Sequence, residues 1–398
     1  MIGRRRLLLA GIALFTAASV LCGAAPTLWL LIAARAAQGL GAAIMMALTM
    51  AFVGQIVPKA KTGSAMGLLG TMSAIGTALG PSLGGLLIAG LGWRAIFLIN
   101  LPLGVLALLL VFRKLPADRE RPMEDRAGFD HLGTLLLALT LGAYALAVTV
   151  GRGSFGPLNV ALLLTAALGT GLFLFAQSRA ASPLIQLAMF RAPMLSAGLA
   201  TSMLVSTVMM ATLVVGPFYL SRALELDTAL VGLVMSVGPL TSALAGMPAG
   251  RIVDRFGAQR MAIGGLAGVG AGSVLLSTIP ATLGVAGYIV PIVLTTTGYA
   301  LFQAANNTAI MTDVAPDQRG VVSGMLTLSR NLGLITGASV MGAVFAFASG
   351  VMELTAADPQ AIADGMRVTF ALAAALIALA LAITFGSRMR TPLADPAA

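Results

Sequence analysis

The chain predicts an all-α integral membrane protein, a bundle of twelve spanning helices, on three observations. Its 398 residues are 58% hydrophobic and 10% charged, with a mean hydropathy of +0.97; soluble domains carry about 25% charged residues. The apolar residues fall into runs of about 20, the length a helix needs to cross the hydrocarbon. The chain also repeats itself. Residues 63–85 align with 320–342, so that Gly63, Gly67, Gly76, Gly80 and Gly85 meet Gly320, Gly324, Gly333, Gly337 and Gly342. Residues 3–26 align with 257–280, pairing Gly3, Arg6, Gly11, Ala13, Ala17, Ser19, Val20, Leu21 and Pro26 with identical counterparts.

The predicted spans are 6–24, 27–53, 63–90, 94–112, 132–150, 157–177, 192–219, 228–249, 259–279, 283–311, 320–349 and 366–386. The first imitates a secretory signal: Arg4–Arg6, an apolar stretch Leu7–Val20, then the small residues of Cys22–Ala25. The same pattern recurs at 257–280, deep in the chain, so the first segment reads as a spanning helix with a basic flank. Between the fourth and fifth spans, 113–131 is a charged, proline-bearing linker. The longest outer loop, 351–365, is mildly acidic and reads as a short surface helix without chemistry.

Charge placement orients the bundle. With the start inside, Arg94, Arg152, Arg222 and Arg367 fall on outer flanks and Arg35 and Arg330 within the membrane; the remaining 18 of the 24 Lys and Arg are cytoplasmic. That asymmetry places both termini in the cytoplasm by the positive-inside rule. The net charge of +10 is therefore a topology signal, and no nucleic-acid partner is expected. The single cysteine, Cys22, excludes an internal disulfide and a cysteine metal site. One histidine, His131, builds no metal site alone and reads as a solvated interfacial group. No cofactor is expected.

Repetition of hydrophobic segments characterises secondary transporters. Here the first helix matches the ninth and the third matches the eleventh, which divides the chain into four helices at 1–112, a linker with two extra helices at 113–191, and six helices at 192–398. The first copy is then expected to be two helices short.

Four motifs carry the chemistry. On the third helix, Gly67, Gly76, Gly80-Pro81 and Gly84-Gly85 form a stripe without side chains where another helix can approach closely, and Pro81 removes one backbone donor and bends the helix. The second helix carries Leu31, Arg35, Gln38, Gly39 and Gly41. Arg35 and Gln38 share a face, and Arg35 lies roughly 12 Å deep at 1.5 Å per residue, where a charge is costly and by default functional; a snorkelling anchor is the alternative. Between the eighth and ninth spans lies Gly250-Arg251-Ile252-Val253-Asp254-Arg255-Phe256-Gly257, read as a cytoplasmic loop in which Asp254 caps the ninth helix or pairs with an arginine such as Arg319. Trp93-Arg94-Ala95-Ile96-Phe97-Leu98-Ile99-Asn100-Leu101-Pro102 opens the fourth helix, with Trp93 placed as an interfacial anchor.

Together these motifs resemble the major facilitator superfamily, specifically its fourteen-helix drug:proton antiporters, over nearly the whole chain. The resemblance implies export of small lipophilic or amphipathic molecules, driven by protons through alternating access, from a bacterial inner membrane. It implies proton coupling or lining for Arg35 and Gln38, a conformational hinge for the Gly67–Gly85 stripe, and a cytoplasmic gate for Gly250, Asp254, Arg255 and Gly257.

A substrate pocket is expected from polar groups at depth: Tyr299, Gln303 and Asn306 at helical spacing beside Phe302, with Asn100 and Arg330. Helix-to-helix glue is the alternative for each amide. All 14 acidic residues fall in loops or at helix ends. The resembled family places an aspartate on its first helix, which is expected to lie upstream of this start. Two readings stay open: a longer transporter, or a non-transporting remnant or regulatory membrane partner. An intramembrane enzyme is disfavoured, since no buried Asp, His or Cys constellation is available.

Overall fold

The computed structural model describes residues 3–115, 130–150, 156–312, 314–315, 318–350 and 358–389. Twelve long helices and no strands occur among them: α1 (Arg4–Ala24), α2 (Leu28–Ile56), α3 (Thr62–Leu91), α4 (Ala95–Lys114, with a turn at Ile99), α5 (His131–Thr149), α6 (Pro157–Arg179), α7 (Pro193–Ala223), α8 (Thr228–Phe256), α9 (Ala258–Thr278), α10 (Gly284–Thr312), α11 (Arg319–Ala348) and α12 (Pro359–Met389). Eleven are long and apolar enough to span a membrane on their described residues; α3 is 30 residues long. Their outer faces are clad in exposed apolar side chains such as Trp29, Leu168, Leu244 and Phe347. In water such a surface would aggregate; in lipid it is the solvated face.

Local chemistry sets the ends. Thr27 accepts from the Leu30 N–H at 3.3 Å and Asp227 from Leu230 at 2.8 Å, each satisfying a free donor at a helix start. Pro157 and Pro193 stand at first helical positions, where no N–H is needed. Pro217 removes a donor inside α7, and the helix relaxes into a π turn over Tyr219–Ala223. Gly257, at φ +87°, breaks α8 from α9 in a conformation a side chain would strain.

The chain divides into two compact units: residues 1–57, 75–127 and 315–324 form one, and 58–74, 128–314 and 325–398 the other. In the first, α1 packs on α2 and α4, with Leu8, Ile12 and Leu48 at its core. In the second, α9 packs on α10 and α12 around a large core that includes Leu266, Val269, Phe345, Phe370 and Ile377. The two units build the same crossing. A Cβ added at Gly41 would lie 2.7 Å from the Phe15 nitrogen and 2.8 Å from the Gly11 oxygen; one at Gly298 would lie 2.7 Å from the Val269 nitrogen and 2.8 Å from the Gly265 oxygen. Gly265 follows Gly11 by the 254-residue offset of the repeat, and Gly298 follows Gly41 by the 257-residue offset.

The span 228–249 expected for the eighth helix is too short. The helix runs to Phe256, so Gly250–Asp254 forms its last turns and not a loop. Nothing before Gly257 forbids helical backbone. The linker 113–131 falls mostly outside the described residues.

Helices α5 and α6 form a hairpin pinned at both ends. At one end Asn159 donates to the Ala147 oxygen at 2.7 Å and accepts from the Gly156 N–H at 3.0 Å. At the other, Asp130 accepts from the Gly133 N–H at 2.7 Å and from the buried Gln177 amide at 2.6 Å. Gln177 in turn accepts from the Ile185 N–H at 3.0 Å. The Gly133 N–H first, and the Gln177 amide next, hold the Asp130 carboxyl below its ordinary value. A carboxyl lowered on folding stabilises above its unfolded pKa, about 4, and that stability is lost as pH falls through the lower folded value. The Asp130→Asn protein is therefore expected to melt earlier than the parent at pH 7. The difference should shrink below about pH 4, as thermal denaturation in detergent at both pH values would show.

Candidate functional site

The start of α3 lies in the same unit as α8 and α10, and there the expected gate and hinge residues meet. Gly63 and Gly67 cross Gly246 and Gly250 backbone to backbone. A Cβ at Gly67 would sit 2.9 Å from the Gly250 Cα and nearer still to the Gly246 oxygen; one at Gly250 would sit 2.8 Å from the Ser64 Cα. At the end of this crossing the Asp254 carboxylate accepts from the Gly63 N–H at 2.7 Å, the Ser64 N–H at 2.9 Å and the Ser64 hydroxyl. Asp254 thus caps the start of α3, where the sequence reading offered the start of the ninth helix or an arginine such as Arg319. It stands within the last turn of α8, where its side chain reaches across to the free donors of a neighbouring helix start. Arg255 lies over the Phe256 ring at 5.3 Å, and Gly257 makes the break described above.

The rest of the glycine stripe behaves differently. Among the described residues, nothing lies within 4 Å of a Cβ added at Gly76, Gly80 or Gly84. Side-chain surroundings at Pro81 and Gly85 lie outside the described residues. The counterparts of Gly76 and Gly80 are closely packed. A Cβ at Gly333 would lie 2.8 Å from the Ser206 Cβ, and one at Gly337 2.9 Å from the Thr207 Cα, both on α7. Thr207 also donates to the Gly333 oxygen at 3.0 Å.

Past the α3–α8 crossing, Met66, Gly67, Gly70, Ser242, Gly246, Ala300, Gln303 and Ala304 line a narrow cleft, closed to a water molecule in this arrangement. Of the expected pocket residues, Gln303 faces it, and its amide donates to the Tyr299 hydroxyl at 3.3 Å. Asn306 is buried and donates to the Gly198 oxygen at 3.1 Å, which makes it helix-to-helix glue. Phe302 is buried in the core of its unit. The Arg330 Nε is buried without a hydrogen-bond partner among the described residues. Asn100, just past the turn at Ile99 in α4, belongs to the other unit.

In that first unit Arg35 donates to the Gln38 carbonyl at 2.6 Å, Gln38 donates to the Ser19 hydroxyl at 2.6 Å, and Ser19 donates to the Phe15 oxygen at 2.7 Å. Arg35 also lies 5.8 Å from the Phe97 ring centroid. A continuous polar relay thus joins α2 to α1 through Gln38, which is only 4% exposed. Ser19 is part of it because a serine in an apolar helix returns its proton to the preceding turn and leaves its oxygen for a neighbour. Sequence reasoning missed Ser19, Ser64 and Gly246. The Gly63-x3-Gly67 and Gly246-x3-Gly250 spacings were the available signal.

A polytopic α-helical bundle with a duplicated helix crossing and polar groups at depth is the architecture of a membrane transporter. The chain belongs to the Major Facilitator Superfamily, whose sequence profile matches residues 1–338 and again 198–397. It is 33% identical over 356 residues to the Multidrug resistance protein Stp of Mycobacterium tuberculosis, covering 86% of this chain and 64% of that protein. It thus spans just under two thirds of that relative's length. It is 30% identical over 393 residues to the Uncharacterized transporter YebQ of Escherichia coli, covering 98% and 82% of the two chains. It is 33% identical over 380 residues to the Drug efflux pump JefA of M. tuberculosis, covering 91% and 70%. In fold it is similar to the human organic anion transporter MFSD10 (TETRAN), with a TM-score of 0.68 at 17% identity over 96% of this chain and 77% of that one. The family is one of membrane transporters, not of enzymes.

Proposed function

We propose that this protein exports small lipophilic or amphipathic compounds across a bacterial inner membrane, in exchange for protons and by alternating access, with both termini cytoplasmic. The observation that carries this reading is the α3–α8 crossing. It is a close backbone-to-backbone contact, bordered by Val253 and Thr71 and closed by one carboxylate on a helix start, a contact suited to parting and re-forming. The names of two relatives, a multidrug resistance protein and a drug efflux pump, support the substrate class. In this reading Gly63, Gly67, Gly246 and Gly250 serve the hinge, Asp254 with Arg255 and Gly257 the cytoplasmic gate, and the cleft at Gln303 the substrate. The Arg35–Gln38–Ser19 relay serves proton coupling, since a buried polar chain beside a cation favours a definite proton arrangement. The fourteen-helix antiporter arrangement is part of the proposal. What supports it is the repeat: Gly76 and Gly80 are the counterparts of Gly333 and Gly337, which α7 covers, while among the described residues nothing meets a Cβ at Gly76 or Gly80.

Transport into inside-out vesicles under an imposed proton gradient tests the reading. The parent protein should accumulate a lipophilic dye and lose that accumulation when the gradient is collapsed. The Arg35→Ala protein should insert to the same level and accumulate at least about ten-fold less, the effect of about 1.4 kcal/mol. Undiminished accumulation by Arg35→Ala removes Arg35 from the coupling role, and accumulation indifferent to the gradient removes proton exchange.

A further inference from the structure

The first four helices carry charge of one sign. The first acid of the chain is Asp118, so α1, α2, α3 and α4 contain no carboxylate. Five of their cations gather on two helix ends: Arg4, Arg5 and Arg6 in the first turn of α1, and Arg113 and Lys114 in the last turn of α4. Those two ends lie side by side. Arg5 donates from Nη2 to the Phe112 oxygen at 2.5 Å, and its guanidinium lies 5.3 Å from the Phe112 ring centroid. Next to this contact Leu7 and Leu8 share a core with Val111 and Leu115. Arg5 thereby satisfies a carbonyl that the end of α4 leaves open. Arg113 and Lys114 suit the negative end of a helix dipole; three arginines at the positive end of α1 do not. Arg6, Arg113 and Lys114 are exposed. Below them Phe112, Leu109 and Val105 form an exposed apolar strip along one face of α4. The positive-inside rule accounts for cations on this side of the membrane but not for their density here. By contrast α6 ends on Arg179 alone, and the end of α8 sets Asp254 between Arg251 and Arg255.

We infer that the paired ends of α1 and α4 bind the headgroup of an anionic phospholipid. In the orientation proposed above they stand at the cytoplasmic leaflet. Arg4, Arg6, Arg113 and Lys114 supply the charge, Arg5 holds the two helix ends together, and an acyl chain lies along Phe112, Leu109 and Val105. A cluster of about four to eight cations beside a spanning helix attracts anionic lipid, and guanidinium forks match phosphate oxygens in geometry as well as charge. The phosphate also meets the positive end of the α1 dipole. A free inorganic anion gains the charge term but has nothing to lay on the apolar strip, which favours the lipid.

Purified protein in detergent is offered equal amounts of dioleoylphosphatidylglycerol and dioleoylphosphatidylcholine, and the lipid it retains is read by native mass spectrometry. The parent protein should retain the phosphatidylglycerol in preference. A protein carrying both Arg113→Gln and Lys114→Gln should lose that preference by at least about ten-fold, as the removal of two cations near an anionic headgroup implies. Arg179→Gln and Arg191→Gln, which remove the same charge from the other unit, should leave it unchanged. Equal retention of the two lipids by the parent protein, a preference that survives the double substitution, or an equal loss in the Arg179 and Arg191 variants overturns the site. Displacement of the retained lipid by inorganic phosphate, beyond that by chloride of equal ionic strength, assigns the cluster to free phosphate and overturns the lipid reading. If the doubly substituted protein fails to insert, Arg6→Gln decides: a several-fold loss of preference upholds the site, and no loss overturns it. Retention is measured without transport, so its failure leaves the export reading standing.

Discussion

Gly67→Leu is expected to destabilise the protein severely, whereas Gly76→Leu, nine residues along the same helix, should not. Replacing a helical glycine removes backbone freedom from the unfolded chain and is favourable by up to about 1 kcal/mol where space allows. At Gly76 nothing among the described residues lies within 4 Å of the new Cβ, so no contact there opposes that gain. At Gly67 the Cβ alone would meet the Gly250 Cα at 2.9 Å and press on the Gly246 oxygen. Those are backbone atoms with no rotamer to give. Overpacking typically costs about 1–3 kcal/mol, and a whole isobutyl group against backbone belongs at the upper end or beyond. The steric term wins at Gly67 and the entropic term at Gly76. Thermal melting of the two purified variants in detergent should separate them clearly; equal melting temperatures would mean that the α3–α8 crossing tolerates separation. Transport adds a second reading. If another helix meets the Gly76–Gly84 face during the cycle, Gly76→Leu should keep its melting temperature and still lose efflux.

The helices themselves were legible because lipid demands long unbroken apolar runs, and such runs have no other use in a chain this poor in charge. Their ends were less so. Hydropathy stops at residue 249, yet α8 continues to Phe256, because Arg251, Asp254 and Arg255 are compatible with helix and only Gly257 is not. Within the site, residue types were visible and partners were not. Arg35 and Gln38 lie three apart on one helix, so their contact follows from helical geometry. The Ser19 that continues the relay lies on another helix and is one of many serines in apolar surroundings. Gly63 and Asp254 are 191 residues apart, and spacing within either motif says nothing about that meeting. Polar residues at depth could be glue or lining, and composition does not separate the two. Position around the helix does: Asn306 turns to the Gly198 oxygen of α7, while Gln303 turns to the cleft.

Asp254→Ala should produce the second large effect, and Asp254→Asn should separate its causes. The carboxylate satisfies two N–H groups of the first turn of α3 and the Ser64 hydroxyl, and its charge faces the positive end of the helix. Losing a side-chain cap costs about 0.5–2 kcal/mol, and hydrogen bonds to an ionised acceptor lie toward the strong end of the range. About 2 kcal/mol is therefore expected for Asp254→Ala. Asparagine keeps one acceptor oxygen but not the charge, so Asp254→Asn should retain part of the stability. Ser64→Ala removes only the hydroxyl donor and should cost less than either. In the Asp254→Ala background it should cost almost nothing, because its partner is already gone. A strictly additive double mutant would mean that Ser64 and Asp254 do not share a bond. Efflux discriminates further. A merely structural cap would lower melting temperature and activity in step across the three variants. A gate that must re-form in every cycle would lose activity out of proportion to stability, with Asp254→Asn already impaired although half its acceptors remain.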